Sequence, residues 1–531
     1  MNRKLKWDEI IGILFMAVSV CFLCISMFLS FSDDIWYDEL FTMGLINQPL
    51  GELISITARD VHPPLYFLIV KLFVTVAKVT GAGISQVAAA KLASVFPFLL
   101  CFIYAVTKVR KNFGMLTAGL FSFLLFSMPQ IADYTVEIRM YGYTLFFITA
   151  AMLHAFELVQ GKKSYVNWIA LTLYALAACY THYFACVAAC MVYLYLLIAL
   201  WREHRLKEEI KAYLISGVCC AVAYLPWLVC VVTMQVGQVK ENYWIQPLTW
   251  RSIGGCVKFL FKPFFVNETV NGVLAVLLFL LYAALLLGAV VKLWRGRKEE
   301  VTDGESVMNA KGRQRAFFTV GCVSILAAII LFGFLASILI RPIFVYRYMM
   351  PAVGVFWLAF AILVTDLKNI KFCQRFIMMP VMGLLVVLGV RNYRAFYGEE
   401  MWKKLQMEDA VEALAQIDEK DVVVFNFDQT QAVVSYYLNK DSYLWYGEPE
   451  ALIQEMYPGV HALVDGEFAD EAGISRLQEL LKENGKIWFL GSGNAREEIL
   501  EKWENAGMKS EETASAMIER YWFNIYRITE K

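Results

Sequence analysis

The hydrophobic runs constrain this chain more than anything else in it. A bilayer-crossing helix takes about 20 apolar residues. Eleven stretches approach that length: 9–30, 86–107, 114–131, 142–160, 166–181, 183–201, 211–233, 271–293, 316–339, 349–365 and 375–391. The continuous run 166–201 is too long for one helix, so a break is expected near Thr181-His182. Charged residues make up only 18% of the 531 positions, against about a quarter in a soluble domain, and mean hydropathy is +0.53. The expected fold is a polytopic α-helical membrane protein of about 11 transmembrane helices. Formal net charge is zero, which gives no basic field for a nucleic-acid partner. Ten of the twelve cysteines lie inside apolar runs, where cysteine behaves as a small hydrophobe, so neither a disulfide framework nor structural zinc is expected. The first run lacks a clear small-residue cleavage site and reads as a signal anchor.

Basic residues orient the spans, because cytoplasmic loops carry the excess of Lys and Arg. Arg3, Lys4 and Lys6 place the N-terminus inside. Lys108, Arg110 and Lys111 belong inside too, as do Lys162 and Lys163, then Arg202, Arg205, Lys207 and Lys211. The cluster from Lys292 to Arg315 follows, and then Lys368, Lys371 and Arg375. These assignments agree only if 63–80 does not cross. That segment carries Lys71 and Lys78, opens with two prolines and ends at Thr80-Gly81. It is expected to lie on the outer face, within a first outer loop spanning 31–85.

Beyond Arg391-Asn392-Tyr393-Arg394 the composition turns charged. Short apolar runs (Val422 to Phe427, Ile487 to Leu490, Tyr521 to Tyr526) alternate with helical patterns over 429–438, 473–484 and 494–506. That alternation predicts a small α/β domain. The expected division is a transmembrane module over 1–395 and an extracytoplasmic α/β domain over 396–531. Gly491-Ser492-Gly493-Asn494 reads as an ordinary strand-to-helix turn, and Asn267-Glu268-Thr269 as a sequon short enough to arise by chance.

Candidate chemistry gathers in the outer loops. Asp38-Glu39 follows the first span. An acidic pair can serve as the cap and first-turn acids of a helix starting near Leu40. With Asp60 and His62 in the same loop, a carboxylate there can instead act as general base on an acceptor hydroxyl. Pro63 and Pro64 suit the start of a helix, but a helix start does not call for His62. His62 could ligate a metal, bind a phosphate or orient Asp38. Arg139 stands before Tyr141 at the start of one span, and Arg347 before Tyr348 at the start of another. Interfacial snorkelling explains such arginines, and so does bidentate binding of a phosphate. Lys258, Lys262 and Arg341 are further outer cations. His182 lies between two spans, at membrane level, where an ionisable residue is a functional candidate.

The order of these motifs is an acidic pair, His62-Pro63-Pro64-Leu65-Tyr66-Phe67, Arg139-Met140-Tyr141, Thr181-His182-Tyr183, and Arg347-Tyr348 ahead of Pro351. It resembles the bacterial branch of the polytopic GT-C glycosyltransferases. That branch is similar to protein O-mannosyltransferases, lipid A aminoarabinose transferases and rhizobial lipopolysaccharide-core sugar transferases. The resemblance covers roughly residues 9–391. It implies an inverting hexosyl or pentosyl transferase at the cell membrane. The donor is a sugar on a polyprenyl phosphate, and the acceptor is an extracytoplasmic glycan, lipid or protein. Asp38 then matches the family's first-loop acid, with Glu39 beside it as a secondary catalytic candidate, Arg139, Arg347, Tyr141 and Tyr348 on the lipid phosphate, and His62, His182 and Asp60 as supporting residues or metal ligands. Some members hold a divalent metal near that loop. This chain has His62 where they carry an acid before the proline, so no cofactor is certain and a divalent metal stays open. A transporter or flippase is the alternative class. Against it, the charged residues gather at one face rather than at the midplane where transport sites lie, and repeat symmetry is absent. A non-catalytic subunit of an envelope-assembly complex is a third reading, and it would tolerate loss of Asp38.

Overall fold

A computed structural model describes residues 6–162, 165–235, 245–299, 307–427, 436–438, 440–518 and 521–531. Arg3, Lys4, Lys163, positions 300–306 of the basic cluster and 429–435 of the expected helix 429–438 lie outside the described residues.

The helices in chain order are α1 (Trp7–Leu29), α2 (Tyr37–Asn47), α3 (Leu50–Arg59), α4 (Leu65–Thr80) and α5 (Gln86–Phe113). Then come α6 (Met115–Ser127), α7 (Tyr141–Val159), α8 (Tyr165–Cys179), α9 (Tyr183–Arg202) and α10 (Leu206–Gln235). Next are α11 (Arg251–Phe261), α12 (Glu268–Glu299), α13 (Val307–Leu339), α14 (Met350–Asp366) and α15 (Lys371–Leu414). Among the described residues nine helices are long and apolar enough to cross a membrane, and α6 and α8 are shorter apolar helices. Together they fall on the eleven expected runs, and the long run breaks between Cys179 and Tyr183 as its length required. With many apolar helices on this fold, the chain is a multi-pass membrane protein.

Two boundaries differ from the sequence reading. The last membrane helix does not stop near 391 but runs to Leu414. Loss of hydropathy marks where a helix leaves the apolar layer, not where its hydrogen bonds end. Helix α6 has 13 residues, about 20 Å at 1.5 Å per residue, and hands over to a buried turn before α7.

The chain forms two compact units. The first comprises Met1–Ser30, Thr57–Ile69 and Lys91–Tyr397. Its centre is α7, with every residue buried, against α8, α9 and α14. Lipid is as apolar as leucine, so close packing rather than hydrophobicity draws such helices together. Helices α1 and α6 show how: a Cβ on Gly119 would meet the Gly12 carbonyl oxygen at 2.2 Å, and Ser19 bonds Ser122 at 3.1 Å. At the periphery α10 exposes Leu214, Val218, Val222 and Leu225, a stripe at helical spacing suited to lipid contact.

The second unit comprises Phe31–Ile56, Val70–Ala90 and Gly398–Lys531. Its sheet contains β1 (Val422–Phe425), β2 (Ser442–Leu444), β3 (Val460–Ala462), β4 (Ile487–Ser492), β5 (Met508–Ile518) and β6 (Tyr521–Glu530), in the order β3-β2-β1-β4-β6-β5. The first four are parallel, and β6 and β5 join antiparallel. Helices α16 (Ala451–Met456), α17 (Asp470–Asn484) and α18 (Ala495–Asn505) complete it. Trp445, Leu477, Phe489, Trp503 and Ile528 form the core, and burying each such side chain is worth about 1.5–3 kcal/mol. Helix α17 begins on Asp470 and Glu471 and ends at Gly485 with φ +75, the acid-first, glycine-last pattern that helix ends favour. The Gly491 to Asn494 stretch is the turn between β4 and α18. There Asn426 pairs with both backbone groups of Ser492 and ties the ends of β1 and β4 together. Strand β5 escaped the sequence reading because its residues, Lys509, Ser510, Glu511, Glu512 and Thr513 among them, are those of a polar edge strand.

Candidate active site

In the first unit, the loop after α3 and the break between α8 and α9 come together. The Leu65 N–H donates to the Tyr180 carbonyl at 3.1 Å. Trp227 Nε1–H donates to the Tyr183 hydroxyl, which donates to Gln235, whose amide donates to the Thr57 carbonyl. This chain of bonds fixes the short segment that carries Asp60 and His62. Pro63 and Pro64 precede the first residue of α4, as expected of a helix start.

His62 Nδ1 lies 3.1 Å from Asp60 Oδ2, and its ring lies 6.0 Å from that of His182. His182 is the residue before α9, and its Nδ1 accepts the Phe184 N–H at 3.2 Å. The capping role weighed for it is therefore filled. An accepting Nδ1 also leaves the proton of the neutral ring on Nε2. Burial holds the His182 pKa well below the ordinary value, and the charges of His62, Arg139 and Arg347 push the same way. The imidazole is neutral at pH 7 and presents one N–H donor.

Aromatic rings enclose it. Tyr348 is 4.9 Å from the His182 ring and Tyr141 is 5.9 Å away. The Arg347 guanidinium sits 5.9 Å over the Tyr141 ring, within reach of cation–π attraction. Tyr134, buried beside Tyr141, feels the charges of Glu137, Arg347 and Asp133, and burial raises its pKa. Arg139 is buried just ahead of α7, and Arg347 lies in the 3-10 turn Tyr346–Met349 just ahead of α14. Asp60, His62, Arg139, Tyr141, His182, Arg347 and Tyr348 thus form one neighbourhood, although they span nearly 300 positions of sequence.

Asp38 and Glu39 belong to the second unit. Both stand in the first turn of α2. Glu39 Oε2 accepts the Trp36 N–H at 3.0 Å, which is the helix-start role weighed for the pair. Asp38 is half-buried, and its carbonyl accepts from the Thr42 hydroxyl at 3.4 Å. The carbonyls of Ile46 and Gln48, at the other end of α2, accept from Lys71 Nζ at 2.6 and 2.7 Å. The lysine that argued against 63–80 as a span is used here as a helix-end cap.

Among the described residues no group of three or more His, Cys, Asp and Glu side chains is placed to hold a metal. Asp60 and His62 supply two ligands at most, and His182 Nδ1 is occupied by the cap. The donor set does not fit a structural or catalytic metal centre of three or four protein ligands.

Sequence reasoning passed over Lys91. It is 2% exposed, in an apolar turn of α5 after three alanines. One turn on, Ser94 bonds Tyr66, the tyrosine of the His-Pro-Pro motif. The signal was present, since a lysine inside an apolar span is costly to bury. Also unexpected is the far end of α7. Glu157, buried, bonds Lys108 and lies 3.4 Å from Lys162, which also bonds Asn112. Arg205 caps the Leu158 and Val159 carbonyls there.

No family model and no curated sequence matches the chain. Solved structures do. ArnT from Cupriavidus metallidurans in the apo state is 12% identical with a TM-score of 0.54, and the match covers 97% of both chains. The same protein bound to undecaprenyl phosphate matches equally, at 12% identity, TM-score 0.54 and 97% coverage of both chains. The archaeal oligosaccharyltransferase AglB from Archaeoglobus fulgidus, in complex with an inhibitory peptide and a dolichol-phosphate, is 11% identical with a TM-score of 0.45, covering 92% of this chain and 70% of that one. The match runs along nearly the full length of ArnT, and the chain has the fold of the GT-C glycosyltransferases.

Proposed function

We propose that this protein is an inverting glycosyltransferase that moves a sugar from a polyprenyl-phosphate donor to an extracytoplasmic hydroxyl acceptor. The observation that carries the reading is the neighbourhood of Arg139, Arg347 and the neutral N–H of His182, walled by Tyr141 and Tyr348. Two guanidiniums and a fixed donor suit a phosphate, and aromatic faces suit a sugar or prenyl chain. The undecaprenyl phosphate bound by ArnT, which shares the fold, supports the same ligand class.

In the proposed reaction Asp38 takes the proton of the acceptor hydroxyl. The oxygen attacks the anomeric carbon from the face opposite the phosphate. The bond from that carbon to the phosphate oxygen breaks, and the electron pair leaves with the lipid phosphate. Arg139, Arg347 and His182 Nε2–H meet the charge that develops on it, the kind of preorganised stabilisation that lowers barriers most. Glu39 supports the start of α2. Asp60 orients the His62 ring through Nδ1. No metal enters any step. The membrane reading places the N-terminus in the cytoplasm and the C-terminal domain outside. Helix α4 then lies on the outer face, and Leu72, Val76 and Val79, exposed at helical spacing, meet lipid.

Lipid analysis of cells with and without the gene tests the reading. Cells lacking it are expected to accumulate a polyprenyl-phosphate sugar, which identifies the donor. An unchanged lipid pool would contradict the proposal.

A further inference from the structure

The C-terminal part of the second unit grips the turn that carries Asp38. The hydroxyl of Tyr437 donates to the Asp33 carbonyl at 2.6 Å and accepts the Ile35 N–H at 3.1 Å, a residue 402 positions earlier in the chain. One side-chain oxygen thereby fixes the backbone leading into α2. On the other side of Asp38, Tyr457 donates to the Leu40 carbonyl at 2.7 Å. Its ring lies flush on Gly44, where a Cβ would meet Cε2 at 2.8 Å. Tyr37, next to Asp38, donates to Glu450 Oε2 at 2.9 Å. Both tyrosines on the C-terminal side are half-buried, and burial raises their pKa values above the ordinary range, so each stays a neutral O–H donor. Helix α2 has only 11 residues, a length that is marginal on its own in water. These contacts brace its first turn from both sides.

We infer that Tyr437 and Tyr457 are positioning residues for Asp38: the C-terminal domain serves catalysis by holding both sides of the turn that presents this carboxylate. The inference rests on the reading of Asp38 as the base. A base must stand within hydrogen-bond reach of the proton it removes, and misplacement by about 1 Å can cost a hundred-fold. The Tyr437 hydroxyl contributes two neutral hydrogen bonds and the Tyr457 hydroxyl one, so removing either relaxes the turn without emptying the core.

The test uses the full-length protein and, as donor, the polyprenyl-phosphate sugar isolated from cells lacking the gene. Tyr437→Phe and Tyr457→Phe keep the rings and delete one oxygen each. Each is expected to lower kcat by about three- to ten-fold or more, the scale of one to two neutral hydrogen bonds, with KM for the donor unchanged. The decisive readout is a double-mutant cycle. If the tyrosines act through Asp38, their effect disappears in an Asp38→Asn background. Additive losses in the double mutants, or full kcat in both tyrosine variants, would overturn the inference. Near wild-type turnover of Asp38→Asn alone would instead remove the base reading, a different failure. Should a tyrosine variant not fold, Tyr37→Phe releases the bond to Glu450 and carries the same cycle.

Discussion

The two ends of α7 present the same class of residue to opposite effect. About 24 Å of helix separates Tyr141 from Glu157, at 1.5 Å per residue. At the Glu157 end, one buried carboxylate meets two lysines, an asparagine relays one of them, and an arginine closes the helix carbonyls. The carboxylate there has its cationic partners in place, and the bonds join α5 and α7 to the segment before α8. At the Tyr141 end two arginines converge on a neutral histidine among aromatic rings. The contrast is one of sign and shape: the first end is a clamp, and the second is the end proposed above to take a lipid phosphate.

If that division is right, substitutions must separate chemistry from support. The largest effect belongs to the proposed base. Asparagine starts a helix about as well as aspartate, so Asp38→Asn should fold and insert normally. It takes up no proton at neutral pH, and transfer should fall by about a hundred-fold or more. Turnover near that of the wild type, measured with labelled donor, would leave the acidic pair a structural feature. The opposite result is expected at the clamp. Glu157→Gln removes a charged partner from Lys108 and Lys162, a loss on the order of 1.5–3 kcal/mol. Thermal unfolding in detergent should shift accordingly, while kcat and KM of the folded enzyme stay put. A Glu157→Gln variant of unchanged stability but impaired turnover would erase the contrast between the two ends.

The sequence made some of this legible and hid the rest for identifiable reasons. Spans could be read because a bilayer demands length and hydropathy together, and the break at Thr181-His182 followed from length alone. The placing of 63–80 on the outer face rests on charge, and Lys71 has a local use as well, capping α2. The chemistry of the first unit could be proposed because arginine and histidine are scarce at membrane level. Its closeness could not, since His62, Arg139, His182 and Arg347 meet only through helix packing. Lys91 went unremarked because one charge does not spoil a hydropathy window. The grip of Tyr437 and Tyr457 on α2 was invisible because tyrosines in a soluble-looking region carry no pattern. Strand β5 was missed because an edge strand exposed to water reads as a loop.

The central claim is that the Tyr141 end of α7 binds a lipid phosphate. Binding of undecaprenyl phosphate to purified protein in nanodiscs tests it without knowledge of the sugar. Saturable binding is expected for the wild type. Either Arg139→Ala or Arg347→Ala should weaken it by about ten- to a hundred-fold, the cost of losing a charged hydrogen bond, and Glu157→Gln should leave it unchanged. Equal affinity in the wild type and both arginine variants would contradict the account and reduce these arginines to anchors of the helix ends.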